Sequence, residues 1–301
     1  MKFNSRLGLE GVNYQGFKMK IIRYKNAHDI DVQFEDEYNT IYKNKKLGDF
    51  VRGKIKNPNY LLGETNISNQ GYLMRIIGGN TNSLDILMDE KIVLNNIRYE
   101  LFKSGKVKNP YHKGLFGIGY IGIGDFETMN GDKQDKIYIV WKSMLERCYS
   151  HKNVDKNKTY VGCSVDEYFH CFQNFAQWYK DNTWSEDCLF LDKDILYKGN
   201  KIYSPDTCCI VDRKLNNMFT NTKSYRGKYA VGVKYRREKF ESTFRGNFLG
   251  TFDSETDAFI RYKKEKEDYY KLVAEQYKNK YHNFPQSIYN ALVSYTVNFD
   301  D

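Results

Sequence analysis

The chain has 301 residues, 41% hydrophobic and 16% aromatic, enough to bury more than one core and too apolar for a disordered basic tail. Its formal net charge of +9 suits a polyanionic partner. No apolar run reaches membrane length and the start, MKFNSRLGLEG, lacks a signal-peptide core, so a cytosolic location and no membrane partner are expected.

The N-terminal region reads as a duplication. GFKMKII at 16–22 returns as GYLMRII at 71–77, and IDVQFED returns as LDILMDE. Each copy then reaches a Phe-x-x-Gly-Lys-x-Lys-Asn-Pro block, at 50–58 and 102–110. Alternating apolar residues punctuated by Gly and Asn-Pro predict two β-rich repeats, over 1–64 and 65–125. With only two copies they form paired modules, not a solenoid. The GKIKNP and GKVKNP blocks read as strands whose lysines, Lys54 and Lys106, form matched basic patches for a DNA backbone. A protein partner bound by the repeats is the alternative.

Next comes Gly117-Ile118-Gly119-Tyr120-Ile121-Gly122, which fits GxGxxG by letter only. No βαβ pattern surrounds it and Gly124-Asp125-Phe126 follows, so a β corner and linker are predicted.

A third region, 126–222, contains two helical patterns. Tyr138, Trp141, Met144, Leu145 and Cys148 mark the first, and Phe172, Phe175, Ala176 and Tyr179 the second. A strand, a long turn, a second strand and a short helix follow in LFLDKDILYKGNKIYSPDTCCIVDRKLNNMF. The six cysteines, Cys148, Cys163, Cys171, Cys188, Cys208 and Cys209, contain no CxxC pair. In the cytosol they read as buried thiols rather than disulfides, with a zinc site as the other option. His28, His112, His151 and His282 share no metal-ligand spacing, and nothing in the position of His170 brings it to a site.

The ordered blocks WKxMxxRCY, YxGCxV, FxxFxxW, LDKDI, GN, YSPDTC and LNN over 137–219 resemble HNH homing endonucleases of phages. That resemblance implies a ββα-metal centre in a phage-encoded protein acting in the bacterial cytoplasm. It places Asp192 and Asn216 at the metal-ligand positions, for Mg²⁺ or Mn²⁺. The general-base histidine would fall at Lys193. Phosphodiester hydrolysis needs an activated water and a cation at the leaving oxygen. An ordinary lysine, with a pKa of about 10.4, is a poor base at neutral pH. Asp194 is a substitute carboxylate, and Lys193 otherwise reads as a phosphate clamp. Two functions stay open: a DNA-cutting or nicking enzyme, and a catalytically inactive DNA-binding regulator or phage accessory or inhibitor protein.

The last region, 223–301, begins YAVGVKYRREKFESTFRGNFLGTFDSETDAF. Val231, Val233 and Tyr235 alternate with Gly232, Lys234 and Arg236, and Phe240, Ser242 and Phe244 alternate with Glu241, Thr243 and Arg245. Gly246-Asn247 marks a turn before a third strand, Phe248–Phe252. Asp253 or Ser254 caps a helix in which Ala258, Ile260, Tyr262 and Tyr269 alternate with many charges. The helix covers one face of the sheet. The other is left with Lys234, Arg236 and Arg245, a set suited to phosphates and guanine edges.

The GVKYR strand, the KFESTFR strand and FLGTFDSETDAF resemble the plant ethylene-response-factor (APETALA) DNA-binding domain, with Phe240 and Phe248 where tryptophan is usual. That resemblance implies a sheet docked in the major groove of double-stranded DNA. It directs Lys234, Arg236, Arg237, Thr243, Arg245 and Phe248 towards the duplex. The predicted fold class is therefore multidomain α+β: two β-rich repeats, an HNH-like ββα centre, and a three-stranded sheet plus helix. A short packing helix is expected near SIYNALVSYTVNF.

Overall fold

Alternating burial along the duplicated blocks builds two antiparallel four-stranded sheets, each a meander in sequence order. The first comprises β1 (Glu10–Val12), β2 (Lys18–Asn26), β3 (Asp29–Phe34) and β4 (Ile41–Lys45), followed by the short helix α1 (Leu47–Val51). The second comprises β5 (Thr65–Ile67), β6 (Leu73–Asn80), β7 (Ser83–Met88) and β8 (Ile92–Ile97), followed by α2 (Tyr99–Lys103). Met19, Ile21, Ile30, Val32 and Phe34 pack under Phe50 in one copy. Met74, Ile76, Leu84, Ile86 and Met88 pack under Phe102 in the other. The computed structural model describes residues 6–150, 160–219 and 228–299 of the chain. It divides into two compact units, Met1–Asn109 and Pro110–Asp301, and the repeats make up the first.

The hydrogen bonds repeat as well as the sheets. Tyr14 N–H donates to the Gly53 carbonyl at 2.9 Å, as Asn69 N–H does to that of Gly105 at 2.7 Å. Gln15 Oε1 accepts from the Asn57 N–H at 2.8 Å, as Gln70 Oε1 does from the Asn109 N–H at 2.8 Å. These bonds hold the GKIKNP and GKVKNP segments as extended arms outside the sheets. Lys54 and Lys106 are therefore not on strands, as expected, but on arms that leave a helix C-terminus. The turn at Gly53 and Gly105, with φ of 65° and 68°, breaks the chain direction before any ladder can form.

In the second unit the glycines of 117–124 serve close packing. A Cβ on Gly119 would lie 2.5 Å from Leu145, and one on Gly122 would lie 2.5 Å from Cys171 Sγ. The hairpin β9 (Met129–Asn130) and β10 (Lys133–Gln134) leads into α3 (Lys136–Tyr149), capped by the Asp135 carboxylate on Ile137 N–H. After β11 (Ser164–Val165) and a 3₁₀ turn, α4 (Phe172–Asn182) buries Phe172, Phe175, Ala176 and Tyr179 against α3. Then come β12 (Phe190–Asp192), β13 (Ile202–Tyr203), β14 (Cys209–Val211) and α5 (Arg213–Phe219). β12 pairs antiparallel with β14, whereas β13 pairs with β11.

The C-terminal sheet runs β15 (Val233–Arg236), β16 (Lys239–Phe244) and β17 (Asn247–Phe252), and is backed by α6 (Glu255–Lys280). Ser254 caps α6 through its Oγ, accepting from Asp257 N–H at 3.1 Å. Of the apolar residues in the first turns of α6, Ile260 is 55% exposed whereas Phe259 is buried. At 3.6 residues per turn Phe259, one residue round from Ala258, meets the core stripe that Ile260 misses. α7 (Gln286–Val293) supplies the expected packing helix, burying Ile288 and Leu292.

Candidate nucleic-acid interface and the ββα centre

Two tight hairpins set the register of the C-terminal sheet. Arg237 and Glu238 have φ of 48° and 63°, and Arg245 and Gly246 have φ of 50° and 84°, the paired positive values of two-residue type I′ turns. Val233 and Ser242 face α6 and are buried, so their neighbours along each strand face away from it. Lys234 stands opposite Glu241, and Arg236 opposite Lys239. A bulge between Ser242 and Thr243 shifts the β17 partners, so that Thr243 meets Phe248. Phe248 is 63% exposed. The open face thus combines Lys234, Arg236 and Lys239 with Glu241, Thr243, Phe248 and Thr251, and Arg237 stands at the exposed tip beside it.

Arg245 departs from expectation. It occupies a turn rather than a strand position, and its guanidinium lies 4.4 Å from the centre of the Tyr269 ring on α6, where it also donates to Tyr269 Oη. The positive φ at Arg245 swings the side chain round the sheet edge, away from the open face. Lys239 was not singled out from the sequence. Counting two residues for the Arg237–Glu238 turn would have placed it beside Arg236; its ammonium is paired with Asp253.

Gly232, just before β15, lies close against the Tyr262 ring of α6. Its φ is 79°, and a Cβ there would lie 2.0 Å from the Tyr262 ring. A side chain at this point would push the first strand off its helix.

The helix also reaches a second core. Its 26 residues span about 39 Å. Ala258, Phe259 and Tyr262 pack on the sheet. Tyr270, Val273, Ala274 and Tyr277 enter the core that holds the ββα centre. Tyr277 Oη donates to Asp212 Oδ2 at 2.6 Å, while Asp212 Oδ1 accepts the Leu215 N–H at 2.8 Å and so caps α5. Burial, with the adjacent Asp212 carboxylate, raises the Tyr277 phenol far above its ordinary pKa and keeps it a donor. Tyr277→Phe would leave that carboxylate oxygen unpaired. It is expected to cost about 2 kcal/mol and lower the melting temperature of this unit by a few degrees, measured by calorimetry. An unchanged melt would mean that water replaces the phenol without loss.

In the centre, Asp192 ends β12 opposite Cys209, and α5 packs on β12. The strand–loop–strand–helix order expected from the sequence is present. Its side chains are bonded within the loop itself. Asp192 Oδ1 accepts the N–H groups of Asp194 at 2.7 Å and Ile195 at 2.9 Å, closing the turn after the strand. Burial pushes its carboxyl above the usual carboxylate range, against the opposing pull of these two N–H bonds.

Lys193, expected at the base position, is only 4% exposed. Its ammonium donates to Asp194 Oδ2 at 2.6 Å and to the Asn200 carbonyl at 2.8 Å. Asn200 Nδ2 answers with bonds to the Lys193 carbonyl at 2.9 Å and the Ile202 carbonyl at 2.7 Å. Asp194 is therefore paired rather than free, and Lys193 is enclosed in the loop rather than presented at the surface. Asn200, the second half of the GN block, is the residue that sequence reasoning passed over. Asn216 is half-buried on α5, its N–H bonded to the Asp212 carbonyl at 3.0 Å.

The donor set fits a divalent metal poorly. One Asp192 oxygen is spent on the backbone, one Asp194 oxygen on an ammonium, and among the described residues no three His, Cys, Asp or Glu side chains gather as a metal group. The six thiols are free; burial pushes Cys148, Cys188 and Cys208 up to about 12, which leaves them protonated and inert. His170 Nε2 lies 3.0 Å from the Val165 carbonyl, His28 and His282 are exposed, His112 is half-buried, and His151 lies outside the described residues.

On the arms of the repeats, Lys54, Lys56, Lys106 and Lys108 are exposed while Ile55, Asn57, Val107 and Asn109 between them are buried. Comparison with protein-family models, with curated proteins and with solved structures finds no match to this chain.

Proposed function

We propose that this chain binds double-stranded DNA sequence-selectively, reading bases with the open face of β15–β17 and holding the backbone with the lysine arms of the repeats. The observation that supports it most is the open face itself: Lys234, Arg236 and Phe248 project together from a sheet whose other side is filled by α6. A sheet of this kind enters the major groove, where Arg236 has the two-pronged geometry for guanine O6 and N7. Phe248 offers an apolar contact for a thymine methyl group, and Lys234 and Arg237 suit flanking phosphates. Burial of α6 in both cores gives this face a rigid mount, which base reading needs.

The ββα centre enters this reading as a structural and DNA-docking element on an HNH-type scaffold rather than as a hydrolytic site. The commitment of Lys193, Asp194 and Asp192 to one another favours the regulator over the nuclease. Selection of duplexes from a random pool, followed by footprinting, is expected to yield a protected site without cleavage. Nicking of supercoiled plasmid in Mg²⁺ or Mn²⁺ that disappears with Asp192→Ala would overturn the non-catalytic part and leave the binding part standing.

Lys54→Ala and Lys106→Ala are expected to weaken binding to all sequences alike, because a lysine on an extended arm has no base-specific geometry. Each lost phosphate contact should flatten the slope of log affinity against log salt by about 0.9. Slopes equal to that of the parent would assign the repeats to a protein partner instead.

A further inference from the structure

The two repeats differ where the turn between the first two strands meets the lysine arm. In the first copy these segments form a cleft of about 360 Å³, lined by Asn13, Tyr14 and Gln15 of the turn and by residues 53–56 of the arm. That is at the lower end of the about 300–1,000 Å³ usual for ligand sites, and admits one planar group. Its walls are fixed to each other. Asn13, 5% exposed, donates from Nδ2 to the Ile55 carbonyl at 3.0 Å, and its Oδ1 accepts the N–H groups of Gln15 at 3.0 Å and Phe17 at 2.9 Å. On this fixed backbone the Tyr14 ring stands 78% exposed and takes no part in the core of its repeat. Lys54 and Lys56 lie on one side of the arm, because Ile55 between them is buried. At the rise of an extended chain they are about 6.6 Å apart, comparable with the step between successive phosphates of a strand. Neither takes part in an ion pair among the described residues. The carboxylates linked to the arm are engaged elsewhere, Asp49 with Arg52 and Asp36 with Thr40 and Asn57. The second copy keeps the lysines, as Lys106 and Lys108, but has Asn69 in place of Tyr14. Asn69 Oδ1 would lie 2.7 Å from a Cβ on Gly105, so that short side chain folds back over its arm, whereas the atoms nearest a Cβ on Gly53 are backbone atoms of Val12 and Asn13.

We propose that this cleft holds one unstacked nucleotide of a DNA strand, its base on the Tyr14 ring and its flanking phosphates on Lys54 and Lys56, an inference that rests on the DNA-binding reading above. An aromatic ring accepts any base, since every base has a π face, so the site grips a strand without reading its sequence. The two ammonium groups supply point charges to phosphates without a fixed geometry. The second copy, with the cations and no ring, contacts phosphates alone. The duplication has thus produced one arm that takes a base and one that does not.

A short oligothymidylate carrying one 5-iodouracil is irradiated with the full-length protein, and the crosslinked residue is located by mass spectrometry. Affinity for the same strand is read by fluorescence anisotropy. The crosslink is expected at Tyr14. Tyr14→Asn, which gives the first copy the residue of the second, is expected to remove the crosslink and weaken strand binding by about fivefold or more, whereas Tyr14→Phe keeps both. The position is exposed, so neither variant should change the melting temperature. Lys56→Ala should keep the crosslink and flatten the slope of log affinity against log salt by about 0.7. Crosslinks confined to other residues overturn the proposal, as does Tyr14→Asn with parental affinity. Displacement of the strand by equimolar dTMP also overturns it, since the site would then belong to a free nucleotide. The single strand offers no duplex to β15–β17, so Lys234→Ala with Arg236→Ala should leave the Tyr14 crosslink in place. Loss of that crosslink in a protein that still selects a target duplex removes this inference alone. A Tyr14 crosslink in a protein that selects no duplex removes the sequence-selective reading alone.

Discussion

Gly232→Ala is expected to detach the C-terminal sheet from its helix and abolish site-specific DNA binding. Two costs add at this position. The φ of 79° is a left-handed conformation that alanine adopts at about 1 kcal/mol, and the new methyl would stand 2.0 Å from the Tyr262 ring. That ring has no easy retreat: Tyr262 is buried and packs edge-on against Phe244 at 5.7 Å. Overpacking of a filled core adds about 1–3 kcal/mol, for a total of roughly 2–4 kcal/mol. The affected core is small, built on Ala230, Val233, Ala258, Phe259, Tyr262 and Val297, so a loss of this size is a large part of its stability. Calorimetry should show an early transition for this sheet, and gel-shift titration should show specific affinity falling at least tenfold. A variant with parental melting and affinity would mean that Tyr262 does not sit over the entry to β15.

The double change Lys234→Ala, Arg236→Ala should leave folding intact and remove most discrimination between target and random duplex. Both side chains are exposed and neither belongs to the core under the sheet, so the stability cost is expected to stay within about 0.5 kcal/mol. A base-reading arginine contributes about 1–3 kcal/mol, and a phosphate-bound lysine adds a smaller, sequence-independent amount. Together they should weaken specific binding by roughly thirty- to a thousandfold, read as the ratio of target to random-duplex affinity. Arg245→Ala is the control. Its guanidinium is stacked on Tyr269 behind the sheet edge, so it should change affinity by no more than about threefold. If Arg245→Ala costs as much as the double variant, the duplex meets the helix side of the sheet and the proposed docking face is wrong.

The N-terminal duplication and the C-terminal sheet were legible in the sequence for the same reason. Their apolar residues alternate over runs such as IDVQFED and KFESTF, and a period of two leaves one face to bury and one to expose. The same rule named Lys234 and Arg236 as outward, whereas Thr243 and Phe248 were named only by the family resemblance. It failed for Arg245, because a two-residue turn with positive φ interrupts the alternation one residue before the glycine that signals it. It failed again for Lys54 and Lys106. Lysine alternating with isoleucine or valine looks the same whether the segment pairs in a sheet or lies along a loop held by Gln15 or Gln70.

What the sequence by itself determined is the set of local elements: two copies of a β-rich unit, a strand–loop–strand–helix centre, a sheet backed by a capped helix, and an excess of positive charge. These follow from side-chain periodicity, turn chemistry and net charge, which are properties of neighbours along the chain. Only the tertiary structure decided the state of Lys193, since its partner Asn200 is seven residues away and reaches it through a loop reversal. Only the tertiary structure decided that α6 serves two cores, because Tyr277 meets Asp212 across 65 positions of sequence. Burial and pairing depend on which distant groups arrive together. A lysine that reads as a misplaced base in one dimension is, in three, a cation enclosed by its own loop.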